Sequence, residues 1–97
     1  MVNPKATASL KLTRLNNGFK ASWEKRTVQV SGYQVAYRLV GKTAWTTKNV
    51  TSYKTNVKSY TGLKDKKSYQ VKVRTYKTVG ETKYYSVWTG VKTVKTL

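Results

Sequence analysis

The 97-residue chain contains no cysteine and no histidine, one proline and three acidic residues. Without cysteine there is no disulfide and no thiolate metal site. Without histidine the usual proton carrier near neutral pH is missing, along with the commonest metal-binding ring. The acids Glu24, Asp65 and Glu81 lie in three separate segments. Two carboxyls flanking one bond, as glycoside hydrolysis requires, are therefore not offered. Nor is a nucleophile paired with a base. No Gly-rich phosphate loop occurs. These gaps point away from catalysis, and no catalytic residue, metal or cofactor is expected. No apolar run is long enough to cross a membrane as a helix. Met1 to Leu12 lacks the continuous apolar segment of a signal peptide. An exported parent protein would make this chain a piece excised from it.

The residues that are abundant favour sheets. Thirteen valines, fifteen threonines, eight tyrosines and three tryptophans outweigh the few Leu and Ala. β-branched and aromatic side chains suit a pleated surface and argue against long helices. Apolar residues make up 38% of the chain, enough for one core at this length. The net charge is +17, from 20 basic and three acidic side chains. Such a charge attracts polyanions but does not specify a fold.

Alternation marks the strands. Residues 1–7 read as a tail or linker, and residues 8–97 as the domain. Ala8, Leu10 and Leu12 form a first strand. Asn16-Asn17-Gly18 is a hairpin signal, and Phe19, Ala21 and Trp23 return beyond it. Residues 24–31 are a polar loop. From Gly32, Tyr33, Val35 and Tyr37 share one face while Gln34, Ala36 and Arg38 share the other. Gly41-Lys42 is a turn, followed by a short strand over 45–48. Tyr53, Thr55 and Val57 mark another strand. Tyr69, Val71, Val73 and Thr75 alternate clearly after the polar connection 62–68. A loop over 77–83 centres on Gly80. The last strand runs from about Tyr84 to Val94, where the spacing of Val91 and Val94 breaks the period and predicts a β-bulge. The segments Tyr33-Gln34-Val35-Ala36-Tyr37-Arg38 and Tyr69-Gln70-Val71-Lys72-Val73-Arg74 look alike and read as two strands with the same packing task. Seven short strands without a helical period predict an all-β, two-sheet antiparallel sandwich.

These residues resemble the fibronectin type III family, an immunoglobulin-like β-sandwich. Trp23 stands where the family has its second-strand core tryptophan, and Gly32 to Arg38 is similar to the third strand. Leu63 and Tyr69 resemble the tyrosine corner, with Asp65-Lys66 where the family usually has Pro-Gly. The resemblance spans about residues 4 to 96. Tyr84-Tyr85-Ser86-Val87-Trp88-Thr89 is similar to the last-strand start of modules in secreted multidomain proteins of Gram-positive bacteria. The family's adhesive Arg-Gly-Asp is absent from the loop 78–83.

The resemblance implies a non-catalytic spacer or interaction module of an extracellular or cell-surface protein. Its partners would be neighbouring domains of the same chain and an anionic cell-wall polymer or polysaccharide. Trp23, Tyr33, Val35, Tyr37, Leu63, Tyr69, Val71 and Val73 are expected in the core. Trp45, Tyr84, Tyr85, Trp88, Arg38, Lys72 and Arg74 form the candidate ligand surface. Trp88 reads first as a ring stacked on outward Arg74 or Arg38 in a cation–π ladder. The alternative is a carbohydrate platform on the exposed aromatics, or, less favoured, a nucleic-acid face. Basic residues spread over every strand speak against a specific nucleic-acid reader. A monomer is expected.

Overall fold

The two alternating hexads become the central strands of the computed structural model, which describes residues 4–97. One lies within Gly32–Leu39 and the other within Ser68–Val79, and the two pair antiparallel over eight positions. In chain order the strands are β1 (Lys11–Leu15), β2 (Gly18–Ser22), β3 (Gly32–Leu39), β4 (Thr46–Val50), β5 (Val57–Tyr60), β6 (Ser68–Val79), β7 (Thr82–Tyr85) and β8 (Lys92–Lys95). One sheet has the order β1-β2-β5; the other runs β4-β3-β6, with β7 and β8 both paired to β6. The fold is thus a sandwich of two antiparallel sheets, with no helix among the described residues.

The inward residues of both sheets make one core. Phe19, Ala21 and Trp23 face Tyr33, Val35, Val71 and Val73, and Leu10, Val30, Val50 and Val94 close the margins. Two sets of rings join the sheets. Trp23 meets Tyr33 at 5.3 Å between centroids, and Phe19 meets Tyr37 edge-on at 5.6 Å. Tyr60 completes the second set at 5.5 Å from both Phe19 and Tyr37. Tyr37 and Leu63 are only partly buried, but both pack on this core. The buried Tyr69 accepts a hydrogen bond at its hydroxyl from the Lys64 backbone N–H at 3.0 Å. The link ties the polar connection to β6 although Asp65-Lys66 replaces Pro-Gly.

Several boundaries differ from the sequence reading. Ala8 and Leu10 precede β1, because Ser9 takes a left-handed φ of 56° that bends the chain out of the ladder. Tyr53 to Thr55 form a turn closed by Thr55 N–H donating to Ser52 O, so the strand starts only at Val57. β6 continues to Val79, leaving Gly80 and Glu81 as a two-residue turn where a seven-residue loop was expected. The last strand is split in two, which makes eight strands. Residues 72–75 of β6 lie opposite the longer segment 86–91, so the chain carries two extra residues there. Hydroxyl groups bridge the break. Ser86 Oγ accepts from Thr75 N–H at 2.9 Å and Thr89 Oγ1 from Val73 N–H at 3.1 Å. The broken period is therefore real, but its cause lies upstream of Val91.

Residues 1–3 of the expected tail lie outside the described residues. Residues 4–7 do not hang free. Thr75 donates its hydroxyl hydrogen to Lys5 O at 2.8 Å, Thr7 donates to Glu24 O at 2.6 Å, and Arg26 Nε donates to Ala6 O at 3.0 Å. These bonds satisfy the hydroxyls of buried Thr7 and Thr75, so the packed unit begins by residue 4.

Two tyrosine hydroxyls make opposite predictions. Tyr69→Phe leaves the Lys64 N–H without its partner and should cost about 1–3 kcal/mol. The Tyr60 hydroxyl is buried with no hydrogen-bond partner among the described residues, so Tyr60→Phe should be neutral or stabilising. Denaturant unfolding of both variants checks the pair; equal losses would contradict the corner assignment.

Alkali gives a second test. Burial, followed by the neighbouring Tyr37, pushes the Tyr60 phenol up to about 12. Burial also raises Tyr33, Tyr37 and Tyr76. A raised phenol pKa means the fold prefers the neutral ring, so this stability is complete below pH 10 and lost as pH climbs toward 12. The denaturation midpoint should fall across that window, and Tyr60→Phe should lessen the fall.

Candidate functional site

The outward face of the β4-β3-β6 sheet is built by the same register that builds the core. β3 and β6 run antiparallel with Gln34 opposite Arg74, Ala36 opposite Lys72 and Arg38 opposite Gln70. Each hexad thus supplies the glutamine that meets the other's arginine. Arg38 Nε donates to Gln70 Oε1 at 2.8 Å, and Arg74 Nε donates to Gln34 Oε1 at 2.8 Å. Asn49 on β4 steadies the second pair by accepting from Gln34 Nε2 at 3.1 Å. The amide partners fix each guanidinium at its inner nitrogen.

Aromatic rings interleave these cations. The Arg38 guanidinium lies 4.2 Å from the centre of the Trp45 ring, and Lys72 Nζ lies 4.3 Å from the same ring. Lys72 also sits 4.5 Å from Trp88, and Arg74 lies 4.3 Å from Trp88 and 3.7 Å from Tyr85. The order is Arg38, Trp45, Lys72, Trp88, Arg74, Tyr85. Each tryptophan meets two cations, and Lys72 and Arg74 each meet two rings. Contacts of this kind are each worth about 0.5–1 kcal/mol at exposed sites. The two-residue insertion after β7 sets Trp88 in this row, because Ser86 and Thr89 anchor its flanks to β6. Beyond Tyr85 the row continues through Tyr76, whose ring meets Tyr85 at 6.4 Å and Lys83 Nζ at 5.2 Å. Tyr76 also lies across Gly32, where any Cβ would collide with Val50 O and press on the phenol. Burial, then the charges of Arg38 and Arg74, hold the Lys72 ammonium below its usual pKa.

Of the seven candidate surface residues, six form this row. Tyr84 does not. It pairs with Lys77 while Tyr85 pairs with Tyr76, which turns Tyr84 to the opposite side of the hairpin. The site also includes Gln34, Gln70, Asn49 and Tyr76, which the sequence reading did not single out. The repeated Tyr-Gln hexads held the signal for the glutamines, since antiparallel pairing in register must set each Gln against an Arg. No group of three His, Cys, Asp or Glu comes together among the described residues. Glu24 is engaged by Arg26 at 3.0 Å.

The fibronectin type III domain profile matches residues 4–91. The chain belongs to the fibronectin type III family. Domains of this family are commonly non-catalytic modules within larger chains. No curated protein matches in sequence. Among solved structures, one described as a myokine structure is similar at 18% identity, covering 97% of this chain and 98% of that one, with a TM-score of 0.79. The FN1–FN3 segment of chicken CNTN1 is similar at 19% identity and TM-score 0.81, covering 93% of this domain and 30% of that chain. The fn3 domain of human contactin 1 gives 17% identity and TM-score 0.82, covering 95% of this domain and 76% of that chain. Likenesses at this identity show the fold alone.

A double-mutant cycle tests the stacking in this fibronectin type III domain. Arg74→Met and Trp88→Ala, singly and together, should show a coupling of about 0.5–1 kcal/mol in unfolding free energy. Additive losses would mean that ring and guanidinium merely lie near each other.

Proposed function

We propose that this domain is a non-catalytic spacer and interaction module of an extracellular multidomain protein, in the manner of secreted Gram-positive proteins, with non-specific affinity for anionic surfaces. The observation that carries the reading is the uncompensated charge. Twenty basic side chains face three acids, and among the described residues the one ion pair is Arg26 with Glu24. A polyanion relieves the mutual repulsion of those lysines and releases its own counterions. Lysine is a mobile point charge with little geometric selectivity, which favours general attraction over recognition. The same repulsion keeps copies of the domain apart as monomers. Neighbouring domains and a wall polymer or acidic polysaccharide are the partners this reading implies. No helix among the described residues is long and apolar enough to cross a membrane.

A carbohydrate platform on Trp45, Trp88, Tyr84 and Tyr85 is the second reading. It requires free ring faces. Both tryptophans already stack with two of the chain's own cations, and Tyr84 lies on the other side of the hairpin. The observations therefore favour binding by charge.

A salt titration tests the proposal. Binding to teichoic acid, heparin and single-stranded DNA should weaken steeply between about 50 and 200 mM salt. The three curves should have similar slopes, and neither Trp45→Ala nor Trp88→Ala should abolish one ligand selectively. A ligand that survives high salt and is lost with one tryptophan would establish the platform instead.

A further inference from the structure

The cations of the stacked row are held differently from the other basic side chains. The Arg74 guanidinium is bound at Nε by Gln34 and meets two rings, which leaves Nη1 and Nη2 with no acceptor from the described residues. Arg38 is bound at Nε by Gln70, and its Nη1 donates to Thr43 O at 3.3 Å, leaving Nη2 without an acceptor. Among the described residues, no carboxylate forms an ion pair with Arg38, Lys72 or Arg74. A guanidinium fixed at its inner nitrogen and stacked on a ring presents its remaining N–H groups edge-on, in the plane that grips a tetrahedral oxyanion. The ordering entropy of these long side chains has been spent within the fold, so an anion does not have to spend it again.

Spacing adds a second constraint. Arg38 lies opposite Gln70, so Arg38, Lys72 and Arg74 occupy three consecutive outward rows of one sheet. At about 3.4 Å rise per residue, the rows are about 7 Å apart. The lowered proton affinity of Lys72 follows in part from the two arginine charges beside it, a repulsion that anions bound between the rows would relieve.

We propose that Arg38, Lys72 and Arg74 form a linear site for a phosphodiester polymer, gripping successive phosphates through the guanidinium edges and the ammonium. The proposal rests on the polyanion reading above and places it on one face. Recognition runs through oxyanions, because the rings that could hold a sugar or base are stacked on the chain's own cations.

The probe is an abasic oligodeoxynucleotide, a phosphodiester chain without bases, titrated against the intact domain at several salt concentrations. Arg38→Gln with Arg74→Gln is compared with Lys11→Gln with Lys20→Gln, an equal loss of charge on the outward face of the β1-β2-β5 sheet. The arginine pair should lose at least about tenfold more affinity than the lysine pair. Its salt slope should fall by about 1.4, or about 0.7 for each lost contact to a single strand. Arg38→Lys with Arg74→Lys keeps the charge and loses the fork. It should weaken binding several-fold, and it decides the matter if the glutamine pair fails to fold. Equal losses from the arginine and lysine pairs, or an unchanged affinity in the Arg→Lys pair, would overturn the site while leaving general polyanion attraction standing. No binding by the unmodified domain at low salt would overturn both. Heparin bound more tightly than the oligonucleotide, and through the same arginines, would overturn the phosphodiester assignment in favour of sulfate esters.

Discussion

The pairing of β3 with β6 is the constraint on which the rest depends. Both strands are interior to their sheet, so their backbones are hydrogen-bonded on both sides. Because side chains alternate with a period of two, one register decides two surfaces together. It points Tyr33, Val35, Val71 and Val73 into the core, and it sets Gln34 against Arg74 and Gln70 against Arg38 outside. A slip of one residue would expose the valines and separate the amide–guanidinium pairs. Core and candidate site therefore stand or fall with the same eight-position ladder.

This register also explains how a chain of net charge +17 accommodates three cations side by side. Tryptophan faces lie between them, and neutral amides hold the arginines, so the attraction comes from ring quadrupoles and carbonyl dipoles in place of carboxylates. Such partners leave the net charge intact. Carboxylates would have stabilised the same side chains while cancelling the field that draws anions.

Much of this was legible in the sequence because alternation reports directly on strand faces. Tyr33, Val35 and Tyr37 were assigned one side correctly, Asn16-Asn17-Gly18 forms the expected hairpin, and the Leu63–Tyr69 spacing identified the corner. Alternation does not reveal where a ladder stops. Tyr53, Thr55 and Val57 have the right spacing, yet a local hydrogen bond from Thr55 to Ser52 takes the first two into a turn. Ser9 leaves the ladder through its backbone conformation, which its side chain does not advertise. The split last strand was harder still, since the hydroxyls of Ser86 and Thr89 take the place of main-chain acceptors. Six of the seven surface residues were placed together by composition and facing. Tyr84 is as exposed as Tyr85 but stands apart from the row, because the tight hairpin at Gly80 fixes which of two adjacent tyrosines lies on the Arg74 side.

Native-state hydrogen exchange tests the central role of β3 and β6 most directly. The account predicts that the amides of Gln34, Ala36, Lys72 and Arg74, which point across the β3–β6 ladder, exchange only through global unfolding, with a common free energy equal to that from denaturant unfolding. Amides in the bridged segment 86–91 should open at lower cost. If the β1-β2 hairpin proved the most protected, with β3 and β6 exchanging through smaller openings, the two surfaces would not depend on this one pairing.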